Sequence, residues 1–300
     1  DLIDLWMAEP SFSHQVVRHH RKLLWNNVSN VNLIAASASL NRQGANGPYW
    51  RRNPAIAYRG ESVPCRDEEA TFNRSGRPDV DADGREGYVE IHPYWLPEGE
   101  TVKVCAFDAA VTEVSSTGSN CRNRTSSTDP ECGCGPELQW CAVRNVSLTN
   151  TSRSMGHALD KLIFTLMDEG RPYTELFTST RAFINGPLAH FWRHQTQISA
   201  GLVFEPKAIN PDLFPDLDYV DYDQWTEIQL PSEHAGILTR PGFLLRFQTN
   251  RARANQFYNA FLCAPFNPPD GGIPIDAESA SNPDLQKRAG CKYCHALLEP

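Results

Sequence analysis

The stretch Ser154-Met-Gly-His-Ala-Leu-Asp-Lys-Leu-Ile-Phe-Thr-Leu-Met-Asp-Glu169 carries the clearest helical pattern in this 300-residue chain. Its apolar residues recur every three or four positions, which is typical of a helix that packs one face against a core. They are Met155, Ala158, Leu159, Leu162, Ile163, Leu166 and Met167. Gly170 and Pro172 then interrupt the pattern. The spacing therefore predicts a core helix over residues 154–169.

Weaker helical patterns lie on both sides of this segment. The apolar periodicity predicts a helix near the start of residues 1–60, and further pieces follow later in the chain. These later pieces fall near residues 187–195, 233–246, 251–263 and 284–296. The expected fold class is thus mainly α, with a disulfide-rich β and loop insert, which makes it α+β.

The insert is predicted over residues 61–147 because six of the nine cysteines fall between Cys65 and Cys141. Two short pieces, Tyr88–Ile91 and Thr101–Phe107, have strand-like composition. The stretch 115–135 is polar and cannot fold by burial alone, so three disulfides are expected, each contributing ~2–4 kcal/mol. Six cysteines allow about fifteen pairings, and reduced, buried thiols are the alternative.

Cysteine usage and charge restrict the location and the partners. Disulfides persist only in oxidising compartments, so a periplasmic or extracellular location is expected. A formal net charge of -8 argues against binding to nucleic acid. Apolar runs end well before the roughly 18 residues of a membrane-spanning helix, so no membrane span is expected.

The segment Cys291-Lys-Tyr-Cys-His295 has the spacing C-x-x-C-H that attaches a c-type haem covalently. Thiols three residues apart lie about one helical turn apart and can reach two vinyl groups on one edge of a porphyrin. The following imidazole then lies below the iron as an axial ligand. Cys291 and Cys294 are therefore candidate haem anchors, and His295 is the candidate proximal ligand.

Three other interpretations of the same segment stay open. A zinc site would need a fourth ligand, for which Cys263 is a candidate. A thioredoxin-like redox pair would need a βαβ pattern, which does not surround this segment. A structural disulfide that uses Cys291 or Cys294 is the third alternative.

The sixth iron ligand decides between an electron carrier and a site that binds a small molecule. His234 is the first candidate because it precedes the apolar run 235–238. Other histidines, a methionine, a residue outside this sequence, or five-coordinate iron remain alternatives.

The segment Asp79-Val-Asp-Ala-Asp-Gly-Arg-Glu-Gly-Tyr-Val-Glu90 fits the spacing of a calcium-binding loop. The candidate Ca²⁺ ligands are the side chains of Asp79, Asp81, Asp83 and Glu90 and the backbone carbonyl of Arg85. Glu86 replaces the usual apolar residue and no helix precedes the loop, so a calcium loop outside an EF-hand pair is expected. A solvated acidic turn is the alternative.

Four segments together resemble a bacterial protein family. They are His234–Leu244, Thr249–Cys263, Cys291–Pro300 and Leu166–Ala189. They are similar to the uncharacterised cytochrome-associated exported proteins of planctomycete and myxobacterial type, over about residues 154–300. The resemblance implies an exported, mostly helical protein with a haem c motif near its C-terminal end. Leu298 departs from the methionine that is frequent there, and the cysteine-rich insert has no counterpart in the family.

These observations predict three segments: an N-terminal helical segment 1–60, the insert 61–147, and a helical domain 148–300 that ends in the haem c motif on a C-terminal helix. The expected function is electron transfer by an extracytoplasmic c-type haem protein, with a redox partner protein or a small-molecule electron donor or acceptor. A haem-dependent oxidoreductase with an open iron site is one alternative. A haem-free extracellular structural or binding module with zinc or a disulfide at the motif is the other.

Overall fold

The computed structural model describes residues 1–24, 33–42, 48–52, 65–123, 129–143, 146–198, 210–264, 281–288, 290–292 and 295. The chain divides into two compact units. The first unit consists of Asp1–Val28, Leu159–Thr180 and Pro231–Pro300, and the second of Ser29–Ala158 and Arg181–Leu230. The sequence pattern does not predict this interleaving, and the three predicted segments stay a prediction.

The helices and strands of the described residues are short, apart from three α-helices of 12, 15 and 22 residues. The α-helices are α1 Leu2–Met7, α2 Pro10–Leu24, α3 Ser147–Asp168, α4 Glu175–Thr178, α5 Gly186–His190, α6 Pro241–Arg246 and α7 Asn250–Phe261. The strands are β1 Ser39–Arg42, β2 Tyr49–Arg52, β3 Tyr88–Ile91, β4 Val102–Cys105, β5 Ala142–Val143, β6 Arg181–Ile184 and β7 Thr226–Gln229.

The prediction of a mainly α fold with a β insert is wrong, because sheets extend well beyond the insert. A five-stranded mixed sheet has the order β3-β4-β2-β1-β5, and β6 pairs with β7 in a second, antiparallel sheet. Strands β1 and β2 lie in the segment expected to be helical, and β1 pairs in parallel with β5 about a hundred residues later. A four-residue strand holds only two periods of alternation, which is too few to detect from sequence.

The expected C-terminal helix is also wrong as a continuous element. Residues 285–287 form turns, and the Lys287 amide donates to the Asp284 carbonyl at 3.1 Å. Gly290 then has a φ of 78°, a left-handed conformation that ends a helix. The predicted haem motif therefore begins directly after a left-handed glycine.

The core of the second unit lies on the five-stranded sheet and is closed by disulfides. Buried members include Leu40, Tyr94, Trp95, Val104, Leu138 and Val143. The three expected disulfides are present, as Cys65–Cys105, Cys121–Cys132 and Cys134–Cys141. They confirm a protein that matures in an oxidising environment rather than in the reducing cytoplasm.

A buried ion pair links strand β2 to the disulfide-bonded loops. The Arg52 Nε donates to Asp108 Oδ1 at 2.8 Å, and the two side chains are 7% and 5% exposed. The Arg52 Nη2 also donates to the Cys132 carbonyl at 2.6 Å. One guanidinium thus joins a strand, a carboxylate and a disulfide-bonded residue.

The first unit has an α-helical core. Its largest buried side chains come from α2, the second part of α3, α4 and α6: Leu24, Leu159, Leu162, Ile163, Leu166, Leu176 and Phe243. The predicted core helix is therefore confirmed, and it extends at its N-terminal end to Ser147. Gly236, with φ 74°, lies so close to Phe177 that an added Cβ would be 2.1 Å from the Phe177 carbonyl oxygen. Only glycine fits there.

No helix in the described part of the chain is long and apolar enough to cross a membrane.

Removing the charge of Asp108 should destabilise the second unit strongly. Asp108→Asn leaves the buried Arg52 guanidinium without its carboxylate, which costs about 3–5 kcal/mol of unfolding free energy. Urea denaturation measures this loss. The control Glu175→Gln breaks the exposed Arg171–Glu175 pair and should cost less than about 1 kcal/mol. Equal losses in the two variants would contradict the structural role of the buried pair.

Candidate functional site

The predicted haem motif lies at the end of the described chain, within the first unit. Cys291 is half-buried and has a free thiol, and His295 is buried with 7% exposure. Cys294 lies outside the described residues. Six cysteines of the second unit are paired with one another, so the described free thiols are Cys291 and the exposed Cys263.

Backbone hydrogen bonds shape the motif into a helical turn. The Lys292 amide donates to the Arg288 carbonyl at 2.9 Å, and the His295 amide donates to the Cys291 carbonyl at 3.0 Å. This second bond has the i to i-4 spacing of an α-helix. Cys291 and His295 therefore lie about one turn apart, which is the arrangement that the motif requires.

Helix α7 brings a charged side chain, that of Arg251, close to the His295 ring. Thr249 caps α7, because its hydroxyl accepts from the Ala252 amide at 3.1 Å. Arg251, in the first turn, brings its Nη1 to 3.4 Å from His295 Nε2. A guanidinium has only donors, so this contact places the lone pair of the imidazole on Nε2 and its proton on Nδ1.

The donor set at the motif fits a c-type haem in chemistry. Haem attachment needs reduced thiols, and Cys291 is free. Iron ligation by histidine needs an unprotonated ring nitrogen, and the Arg251 contact indicates such a nitrogen on His295. The two residues that the structure describes are therefore in the form that haem binding requires.

The candidate sixth ligand, His234, belongs to the same unit. It is half-buried at the end of the 3-10 turn Ser232–His234, and its amide donates to the Pro231 carbonyl at 2.9 Å. Its role as a ligand stays a prediction. Three of the other histidines that the sequence left open as a sixth ligand belong to the second unit: His157, His190 and His194.

The predicted calcium loop forms a tight, mostly exposed turn. The Asp81 carboxylate accepts from the amides of Asp83 and Arg85, each at 2.9 Å, and these bonds lower the pKa of Asp81. Asp79 accepts from the Thr71 hydroxyl at 2.8 Å, and Glu90 lies exposed on β3. Among the described residues, no three His, Cys, Asp or Glu side chains come close enough together to hold a metal ion. The calcium site therefore stays a prediction from the sequence alone.

Sequence reasoning missed a buried aromatic and histidine cluster in the second unit. His190 stacks on Tyr94 with ring centroids 3.8 Å apart, and its Nε2 donates to the Gln139 carbonyl at 3.2 Å. Tyr219 meets both rings edge-on. His194 lies one turn after His190, where α5 continues into the π-helical turn Phe191–Gln195. The only signal in the sequence was the four-residue spacing of these two histidines.

Burial keeps both histidines of this cluster neutral. Desolvation, aided by repulsion from His194, holds the pKa of His190 well below its usual range. Desolvation and the nearby Arg122 and Arg193 lower the pKa of His194 to about 4. Positive neighbours also disfavour a bound cation, so we interpret this cluster as packing rather than as a metal site.

Comparisons with known proteins add no family to this description. We found no match among protein-family models, among curated proteins or among solved structures. The resemblance to cytochrome-associated exported proteins therefore stays a prediction that rests on the motifs of this sequence.

Acidification should destabilise the second unit through these histidines. In the unfolded chain a histidine has a pKa of about 6.5, whereas His194 has a pKa of about 4 in the folded protein. The unfolded state thus binds more protons as the pH falls below about 6.5, and stability is lost down to about pH 4. Urea denaturation at about pH 7 and about pH 5 should show this loss, and His194→Gln should reduce it.

The control is His14→Gln, which removes an exposed histidine of α2 and reports the effect of losing a histidine outside this cluster. If His194→Gln and the wild type lose the same free energy between the two pH values, the assignment of the pH dependence to His194 is wrong.

Proposed function

We propose that this protein is an extracytoplasmic c-type haem protein that transfers electrons. Cys291 and Cys294 would anchor the haem through thioether bonds, and His295 would be the proximal ligand. The protein would work in the periplasm or outside the cell. A redox partner protein or a small molecule would supply or accept the electron.

The unpaired Cys291 is the observation that carries this proposal. The protein forms disulfides from all six cysteines of its second unit, yet it keeps a free thiol at Cys291, one helical turn before a buried histidine. A free thiol in an oxidising compartment is exposed to disulfide exchange. Thioether formation with haem removes this vulnerability and gives the thiol a function.

The surroundings of His295 suit a ligand to iron. The ring is buried, so water has little access to its nitrogen, and the Arg251 contact keeps Nε2 unprotonated. A bound haem would supply one-electron chemistry, through iron that alternates between the ferrous and ferric states. The chain itself would hold the ligand ring in place and restrict solvent near it.

The resemblance of residues 154–300 to exported proteins with the same C-x-x-C-H motif supports the assignment. Three disulfides support export independently, because they need an oxidising compartment. The two lines of support rest on different units of the protein.

Production of the full chain together with a cytochrome c maturation system tests the proposal. The purified protein should be coloured, with a c-type reduced-minus-oxidised spectrum and an intact mass raised by one haem. Replacing both thiols, by Cys291→Ala with Cys294→Ala, should abolish covalent haem because no sulfur remains to form a thioether. A colourless wild type with the mass of the bare polypeptide would refute the proposal.

Cys263→Ala is the matched control, since Cys263 is a free cysteine outside the motif. It should keep the full haem content.

Two further measurements separate the alternatives. Rapid binding of carbon monoxide to the reduced protein would favour an oxidoreductase with an open iron site, and stoichiometric zinc without colour would favour the haem-free module.

A further inference from the structure

We infer that Arg251 is the positioning residue that holds His295 in the form able to bind iron. The inference rests on the proposed function, because it gives the residue a role at the haem motif. Its physical basis is the contact of 3.4 Å between Arg251 Nη1 and His295 Nε2.

The fold determines where Arg251 lies. Thr249 sets the first residue of α7 through its capping bond to the Ala252 amide. Further along α7, the Gln256 side chain donates to the Leu23 carbonyl and so attaches the helix to α2. Phe261, near the end of α7, packs edge-on against Phe177 at a centroid distance of 4.8 Å. Helix α7 is thus attached at its middle and at its C-terminal end, and its capped first turn carries Arg251.

The chemistry of the guanidinium determines which nitrogen of His295 carries the proton. Arginine stays charged and offers only N–H donors. An imidazole nitrogen that faces it must accept, so Nε2 keeps its lone pair and Nδ1 carries the hydrogen. Iron ligation uses such a lone pair. Arg251 therefore selects the neutral tautomer with the lone pair on Nε2 before any haem is attached. The Arg251 N–H would have to leave that nitrogen for iron to bind there.

Helix α7 would keep the Arg251 charge near the ligand ring after the guanidinium leaves Nε2, and this has a second consequence for the loaded protein. Ferric iron carries one more positive charge than ferrous iron, so a neighbouring cation destabilises the ferric state more. Arg251 should therefore raise the reduction potential. A residue that only supported the fold would leave both the tautomer and the potential unchanged.

Arg253 offers a matched control on the same helix. Its Nη1 donates to the Phe247 carbonyl at 3.0 Å, and its Nη2 donates to the Asn250 side chain. It has the same charge and lies in the same helix, but its bonds are to one residue before α7 and to the first residue of α7. Substitution of Arg253 therefore tests for effects of removing any cation from α7.

The test uses Arg251→Gln, Arg251→Lys and the control Arg253→Gln in the full chain. In the haem-free protein at about pH 8, where imidazoles are neutral, long-range proton–nitrogen NMR reports which nitrogen of His295 is protonated. His295→Gln assigns the signal. The wild type and Arg253→Gln should show an unprotonated Nε2, and Arg251→Gln should show a mixture of tautomers.

In the haem-loaded protein, redox titration should show a lower midpoint potential for Arg251→Gln than for the wild type, Arg251→Lys and Arg253→Gln. Lysine keeps the positive charge, so Arg251→Lys should have a midpoint potential close to that of the wild type. It should preserve the tautomer preference of His295 less completely. Far-ultraviolet circular dichroism and the melting temperature confirm that each variant is folded.

The two proposals fail in different ways. A haem-loaded Arg251→Gln with the potential and the His295 tautomer of the wild type would overturn the role of Arg251 and leave the haem assignment standing. A colourless wild type would overturn the haem assignment, and the NMR measurement would still decide whether Arg251 sets the tautomer of His295.

Discussion

Three disulfides hold together a segment that burial alone could not fold. Residues 115–135 are dominated by Ser, Thr, Asn and Gly, and such a segment loses more chain entropy on folding than its few apolar contacts return. The Cys121–Cys132 and Cys134–Cys141 bonds close short loops there, and Cys65–Cys105 joins a loop to β4. The buried Arg52–Asp108 pair then depends on these closed loops, because Arg52 also binds the Cys132 carbonyl. Covalent closure of these loops therefore supports the polar network of the second unit.

The sequence predicts features that repeat locally and misses those that depend on distant partners. The core helix was predictable because seven apolar residues repeat with helical spacing within 154–169. Strand β1 was not, because its parallel partner β5 lies about a hundred residues away and four residues hold too little alternation. The need for three disulfides could be deduced from composition, but their pairing could not. The turn at Gly290 was missed because a glycine inside a helical pattern does not reveal its own φ.

The candidate site divides in the same way. The motif Cys291 to His295 can be recognised in the sequence because Cys291 and His295 lie within about one helical turn. Residues that are close in the sequence are therefore also close in the structure. The Arg251–His295 contact joins residues 44 apart in sequence, and only the fold brings them together. The stacking of His190 on Tyr94 spans a still longer separation. The residues to which we assign the proposed haem chemistry are thus visible in the sequence, whereas the proposed positioning residue becomes visible only in the structure.

The odd number of cysteines leaves at least one thiol outside any intramolecular disulfide. Nine cysteines cannot all pair, and the six in disulfides belong to one unit, while Cys263, Cys291 and Cys294 belong to the other. In an oxidising compartment, exchange would favour a bond between any two accessible thiols. Haem attachment would consume Cys291 and Cys294 together and leave Cys263, exposed at the end of α7 with a φ of 52°. The proposed cofactor would therefore account for two of three thiols, and Cys263 would remain as the exposed free thiol among the described residues.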